Sequence, residues 1–184
     1  MPDKKDLKAK YIRLIKEKSL VTNVERVLTS GRTSNYYIDA KMTTLDPEGA
    51  NLTARLILEA LKPFEIDAIG GYTLGADPIV SAVAALSAET DRPLPAFIVR
   101  KEPKKHGERK MIEGPFKPGW KICVVDDVVT TAGSTLKACQ AVEEEGGKVV
   151  LTLAIVDRQE GGRENLEAKG YKFISLVTRD ELLK

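Results

Sequence analysis

Two acidic residues in tandem, Asp126 and Asp127, close the apolar run Ile122 to Val125. After Val128 and Val129 comes a turn of small and hydroxyl-bearing residues: Thr130, Thr131, Ala132, Gly133 and Ser134. A hydrophobic strand leading into carboxylates, then such a turn, then a helix, describes the rim of a ligand site in an open parallel sheet. Ligands in these sheets bind beyond the carboxyl ends of the strands. The N–H groups of the turn, gathered at a helix N-terminus, can cradle a phosphate. Carboxylates beside that cradle suit a ligand that is both anionic and polyhydroxylated, which is a sugar phosphate. The plainer alternative is a strand end followed by a helix cap. Tandem acids in a crevice repel each other without a compensating ligand, which weighs towards a site. No lysine of the Walker type stands in the loop, so hydrolysis of a nucleoside triphosphate fits poorly.

A second stretch with chemical capacity is RKEPKKHGERK, residues 100–110, where six Lys/Arg against two Glu give a local charge of +4. Pro103 and Gly107 argue against a regular helix, and no long apolar seam runs through it. It reads either as a solvated surface loop or as a basic lid that closes over a polyanion and stabilises charge on a departing group. The whole chain has 29 Lys+Arg and 27 Asp+Glu, a formal net charge of +2. Outside 100–110 the balance is 23 to 25, so a mildly acidic body carries a basic segment. That balance argues against a protein that coats nucleic acid.

Composition removes other classes. His106 is the only histidine, so a Ser-His-Asp hydrolase or a multi-histidine metal centre would have to be built on it alone. Cys123 and Cys139 lack the paired spacing of a zinc site and read as reduced thiols of a cytosolic protein. The start, MPDKKDLKAK, is polar and charged, unlike a secretory signal. No apolar run approaches the ~20 residues of a membrane span.

The elements that must position these residues follow from periodicity. Residues 4–18 place Leu7, Tyr11, Leu14 and Ile15 at helical spacing. A strand-like run covers 36–40, and Asp46-Pro47 starts a helix that reaches about Leu61. Beyond Pro63, apolar strands at 67–71, 96–100, 121–128, 149–156 and 171–177 alternate with helices at 77–89, 134–145 and near 163–169. Continuous runs such as ICVV and VVLTLAIV suit strands buried on both faces, and with the alternation they predict a parallel sheet in an α/β fold. At 184 residues a single domain over 1–184 is expected, with about 1–62 as an N-terminal appendage and about 63–184 as the core.

The segment VVDDVVTTAGST resembles the phosphoribosyl-pyrophosphate (PRPP) signature of the type I phosphoribosyltransferases. RKEPKKHGERK is similar to the catalytic loop of the orotate phosphoribosyltransferases, RK-x-x-K-x-HG-E, matched by Arg100, Lys101, Lys104, His106, Gly107 and Glu108. SGRTSNYYIDAK (30–41) and IVDRQEGGRENL (155–166) resemble two further motifs of that family, and GGYTLGADP (70–78) stands where it has a pyrophosphate-binding turn. Thr29 occupies the place where many relatives carry a lysine.

The resemblance implies the type I phosphoribosyltransferase fold, a central parallel sheet flanked by helices with a small N-terminal hood and a flexible loop over about 101–114. It implies transfer of the phosphoribosyl group from PRPP to orotate in pyrimidine (UMP) biosynthesis. On this basis Lys101, Lys104, His106, Asp126 and Asp127 would be catalytic. Tyr72, Thr73, Arg100, Lys101, Lys104, His106, Asp126, Asp127 and the stretch Val128, Val129, Thr130, Thr131, Ala132, Gly133 and Ser134 would bind PRPP. Ser34, Tyr36, Tyr37, Thr130 and Arg158 would hold orotate, Arg158 as the planar fork for its carboxylate. For Arg158 an ion pair with a glutamate such as Glu160 is the plain structural alternative. Mg²⁺ would be held through substrate oxygens and water rather than by a protein cage. A cytoplasmic homodimer whose basic loop is shared across subunits is implied, with no nucleic-acid or membrane partner. Two alternatives stay open: transfer to another base, which would not need Arg158, and a PRPP-sensing regulator that grips nucleic acid through 100–110.

Overall fold

The computed structural model describes residues 4–27, 33–103 and 110–184. Eight strands and seven helices follow one another along the described chain. α1 (Lys4–Lys18), β1 (Leu20–Val27), β2 (Thr33–Ile38), α2 (Lys41–Thr44) and α3 (Pro47–Leu61) come first. Then β3 (Ala68–Tyr72), α4 (Asp77–Ser87), β4 (Ala96–Val99), β5 (Ile112–Glu113), β6 (Lys121–Val129) and α5 (Gly133–Glu144) build most of the core. β7 (Lys148–Asp157), α6 (Gly162–Glu167), β8 (Phe173–Thr178) and α7 (Arg179–Leu183) complete it.

Six strands form one sheet in the order β5-β4-β3-β6-β7-β8. All neighbours are parallel except β5, which runs antiparallel to β4. The apolar runs are buried on both faces, as parallel strands require. Along β6, Ile122 and Val124 pack with Ala138, Cys139 and Val142 of α5, while Cys123 and Val125 face the cluster shared with Ile57, Ile79 and Val83 of α3 and α4. The same cluster takes in Tyr11 and Ile15 of α1 and Tyr36 and Ile38 of β2, so the first elements rest on the sheet through a continuous apolar contact. Each such side chain removed from water is worth about 1.5–3 kcal/mol.

Local signals explain the element ends. Asp46 caps α3 by accepting from the N–H of Glu48 (3.1 Å) and of Gly49 (3.0 Å), with Pro47 in the first turn. Thr178 and Glu181 form a reciprocal capping box at α7, and Glu181 reaches Lys8 of α1 at 2.8 Å. The short hairpin β1–β2 lies apart from the large sheet. Of it, periodicity anticipates only the end of β2; the polar residues Thr22, Asn23, Glu25 and Arg26 dilute any apolar pattern in β1. The expected loop over 101–114 is also cut short: Ile112 and Glu113 pair with Val99 and Ile98, with Ile112 buried and Arg100 bound to Glu113 at 3.2 Å. No helix among the described residues is long and apolar enough to cross a membrane.

Candidate active site

The carboxyl ends of β3, β4, β6 and β7 bring most of the sequence-derived residues to one edge. Tyr72 ends β3, and Thr73 opens the β3–α4 turn with its N–H on the carbonyl of Val99 (2.9 Å), next to Arg100. Asp126, Asp127, Val128 and Val129 lie in the last part of β6; Thr130, Thr131 and Ala132 follow, and Gly133 and Ser134 open α5. Arg158 directly follows β7, its N–H donating to the Val129 carbonyl (2.9 Å). Ser34, Tyr36 and Tyr37 are on β2, where Ser34 stands opposite Arg26 in the register. Lys101 is exposed beyond β4. Lys104 and His106 lie outside the described residues.

Strand alternation gives the two carboxylates different surroundings. Asp126 points inward and is 4% exposed. Its Oδ2 accepts from the hydroxyls of Ser134 (2.6 Å) and Thr135 (2.7 Å), and its Oδ1 from the N–H of Asp127 (3.0 Å). Burial pushes its carboxyl up to about 6; the two hydroxyls pull against that shift and the charge of Asp127 adds to it. Thr135 is therefore part of the arrangement, though the turn pattern ends at Ser134. Asp127 is half-buried, with Oδ1 on the N–H of Val128 (2.8 Å). Its carboxylate lies against Gly75 of the β3–α4 turn, so closely that a Cβ there would stand 2.5 Å from Oδ1. A larger residue there would have to push the carboxylate aside.

The turn expected to cradle a phosphate is built by a reversal of the backbone. Ala132 adopts the left-handed conformation (φ 66°) and precedes the first turn of α5, whose leading N–H groups have no partner within the helix. Val129 and Ala132 turn their side chains into a buried cluster with Leu166 and Phe173. Asn165 of α6 donates to the Thr131 carbonyl (3.1 Å), which braces the turn from the other side. In the β3–α4 turn the Thr73 hydroxyl donates to Asp77 Oδ2 (2.7 Å). Neither Gly75 nor Asp77 is a residue type that announces such a role from sequence.

At the other end of the edge, the guanidinium of Arg158 is 4.6 Å above the ring of Tyr36, and the Arg158 side chain is almost wholly buried. It pairs with Glu160 at 2.9 Å, so the ion pair weighed as the plain alternative does form. It forms in a largely buried position, against an aromatic residue of β2. Lys41, on Asp39 at 2.7 Å, has its pKa raised chiefly by that hydrogen bond, with the charge of Asp127 adding to it. A lysine near Asp127 is thus supplied from α2. Among the described residues no three His, Cys, Asp or Glu side chains gather as a metal cage.

The Asp126 shift has a measurable consequence. Its folded-state pKa stands above the ordinary carboxylate value, so burial carries no charge penalty while the group is neutral in both states. The cost appears as pH rises from about 4 and is complete above about 6, reaching about 3 kcal/mol for a two-unit shift. Asp126→Asn should therefore gain stability relative to the wild type across that interval. Urea unfolding of both proteins between pH 4.5 and 7.5 checks this; a difference that stays flat with pH contradicts the assignment.

A scan against models of known protein families found no match. The chain is 49% identical over 176 residues to an orotate phosphoribosyltransferase of Aquifex aeolicus, covering 95% of this chain and 96% of that one. Among solved structures, Mycobacterium tuberculosis orotate phosphoribosyltransferase in complex with Fe(III) dicitrate superposes with a TM-score of 0.85 at 36% identity, over 96% of this chain and 98% of that chain. The same M. tuberculosis enzyme in complex with PRPP gives a TM-score of 0.81 at 35% identity, over 97% and 99%. With the acidic pair, the hydroxyl-rich turn and the buried arginine gathered on one sheet edge, and with this likeness running nearly end to end, the chain belongs to the orotate phosphoribosyltransferase family.

Proposed function

We propose that this protein transfers the phosphoribosyl group of PRPP to orotate, giving orotidine 5′-phosphate and pyrophosphate in pyrimidine biosynthesis. The observation that carries the reading is the single edge that holds both ends of such a reaction. Asp126, Asp127 and the Thr130–Ser134 turn stand at one end, and Arg158 stacked on Tyr36 at the other. Displacement at the anomeric carbon passes through an oxocarbenium-like state: a ring nitrogen of the orotate anion forms the new bond, and pyrophosphate leaves with the electrons of the old one. Asp127 holds the ribose hydroxyls and faces the developing cation. Asp126 orients Ser134 and Thr135 beneath it. The N–H groups from Thr131 to Ser134 take the 5′-phosphate. Tyr72 and Thr73, with Arg100, Lys101, Lys104 and His106, take the pyrophosphate, while Ser34, Tyr36, Tyr37, Thr130 and Arg158 take orotate.

The donor set fits Mg²⁺ that would be held through PRPP oxygens and water rather than by a protein cage. The ion would offset charge on the pyrophosphate. Two buried free cysteines suit a reducing compartment, and we assign the protein to the cytoplasm. Loss of orotate absorbance on adding PRPP and Mg²⁺ to the protein tests the function. Consumption of adenine or hypoxanthine in place of orotate overturns it.

A homodimer completes this reading. Leu45 of α2 (70% exposed) and Leu74 of the β3–α4 turn (63%) are large apolar residues in contact with water, together with Met42. A second copy packed on Leu74 would lie beside Thr73, the preceding residue, within reach of the pyrophosphate end of the site. Leu45→Glu is expected to shift the protein from dimer to monomer in sedimentation velocity. A wild type that sediments as a monomer rules this face out.

A further inference from the structure

We propose that Glu160 is the positioning residue of the base site: it fixes the plane of the Arg158 guanidinium against Tyr36 so that the cleft selects a pyrimidine bearing a carboxylate. The inference rests on the reading of Arg158 as the group that receives that carboxylate.

Three donors converge on one oxygen. Arg158 Nε and Nη2 each lie 2.9 Å from Glu160 Oε1, and the Tyr36 hydroxyl donates to the same atom at 3.3 Å. Tyr36 is 124 residues away in the chain and belongs to β2, so Glu160 joins the N-terminal hairpin to the end of β7. An arginine side chain has many rotamers and gains specificity only when its flat fork is held in one orientation. Here the ring of Tyr36 sets the height of the guanidinium, at 4.6 Å, and Glu160 sets its rotation.

The backbone that carries Glu160 is itself fixed. Gln159 adopts φ 55°, which reverses the chain between Arg158 and Glu160. Its N–H donates to Asp157 Oδ1 (2.7 Å), and its Oε1 accepts from the N–H of Asp180 at the start of α7 (3.1 Å). The turn is therefore gripped by the end of β7 on one side and by α7 on the other. An exposed ion pair would need none of this. The Arg158 and Glu160 side chains are 5% and 17% exposed, where an uncompensated guanidinium is costly. Glu160 supplies the compensation before substrate arrives and keeps Arg158 in place.

Steady-state kinetics of the full-length protein provide the test. Glu160→Ala is expected to raise the KM for orotate tenfold or more while leaving the KM for PRPP within twofold; its melting temperature falls as well, since Arg158 loses its buried counter-charge. Glu160→Gln keeps an acceptor oxygen of the same reach and should recover much of the loss. Tyr36→Phe, which removes only the hydroxyl, should raise the orotate KM by a smaller factor and serves if the alanine variant does not fold. An unchanged orotate KM in an active Glu160→Ala protein overturns this proposal alone, as does a KM for PRPP that rises in parallel. A wild type that consumes no orotate overturns the reading of the site and this proposal with it.

Discussion

Changing Asp127 to asparagine is expected to lower kcat by two to three orders of magnitude, the usual loss when one preorganised electrostatic contact to a transition state is removed. The fold should survive. Asp127 is half-buried, and the hydrogen bond its carboxylate accepts from the N–H of Val128 can be accepted equally by an amide oxygen. What disappears is the negative charge that, on the proposed reading, faces the anomeric carbon as the bond to pyrophosphate breaks. Removing it also relieves Asp126 of a like charge that raises its pKa, so Asp126 should titrate lower in the variant. Gly75→Ala is expected to reproduce part of the loss by displacement. A Cβ there would meet the carboxylate at 2.5–2.9 Å, and that carboxylate is the movable partner. A tenfold fall in kcat or more, about what a misplacement near 1 Å produces, should accompany a small change in melting temperature. If Asp127→Asn turns over at the wild-type rate, the carboxylate has no part in the chemistry.

The contrast between the two acids shows how far sequence reasoning reaches. The run from Ile122 to Val125, the acids and the hydroxyl-rich turn are legible because burial on both faces demands an unbroken apolar run, and a helix start demands small polar residues. Asp46-Pro47 marks the start of α3 to the residue for a similar reason. From sequence, however, Asp126 and Asp127 read as an equivalent pair. Their division into a buried carboxylate that orients Ser134 and Thr135 and a half-buried one beneath Gly75 depends on which face of β6 meets α5, a tertiary fact. The period-2 alternation of a strand holds that information once the burial of one neighbour is known.

Elements with little apolar signal leave the faintest trace in the sequence. β5 is two residues long and owes its place to Ile112 and the Arg100–Glu113 pair, neither of which stands out in a segment dominated by lysine and glutamate. Among the described residues β1 pairs only with β2, and it carries no clean alternation. At Arg158 the sequence offered two partners, a substrate carboxylate or Glu160, as if they were exclusive. The stacking on Tyr36 shows why a partner within the protein is compatible with a binding role: a guanidinium buried in the cleft needs a counter-charge even when empty.

Lys104→Ala is the other substitution expected to abolish most activity, by two to three orders of magnitude in kcat. Lys104 lies outside the described residues, but the stem of its segment does not. Arg100 donates its N–H to the carbonyl of Met111 (2.8 Å), and Val99 accepts from Thr73, so the segment leaves and returns beside the pyrophosphate end of the site. Four residues of extended chain span about 13 Å, enough to bring an ammonium over that end or across to a neighbouring subunit. A leaving pyrophosphate gathers negative charge in the transition state, and a cation there acts on kcat more than on the affinity for PRPP. Which subunit receives it can be decided by mixing Lys104→Ala with Asp127→Asn and allowing the dimers to exchange. If the lysine acts on its own chain's site, every site keeps one defect and no activity returns. If it acts across the interface, each mixed dimer has one site with both defects and one with neither. Activity should then rise to about a quarter of the wild-type value at equal mixing, since half of the dimers are mixed and half of their sites are intact.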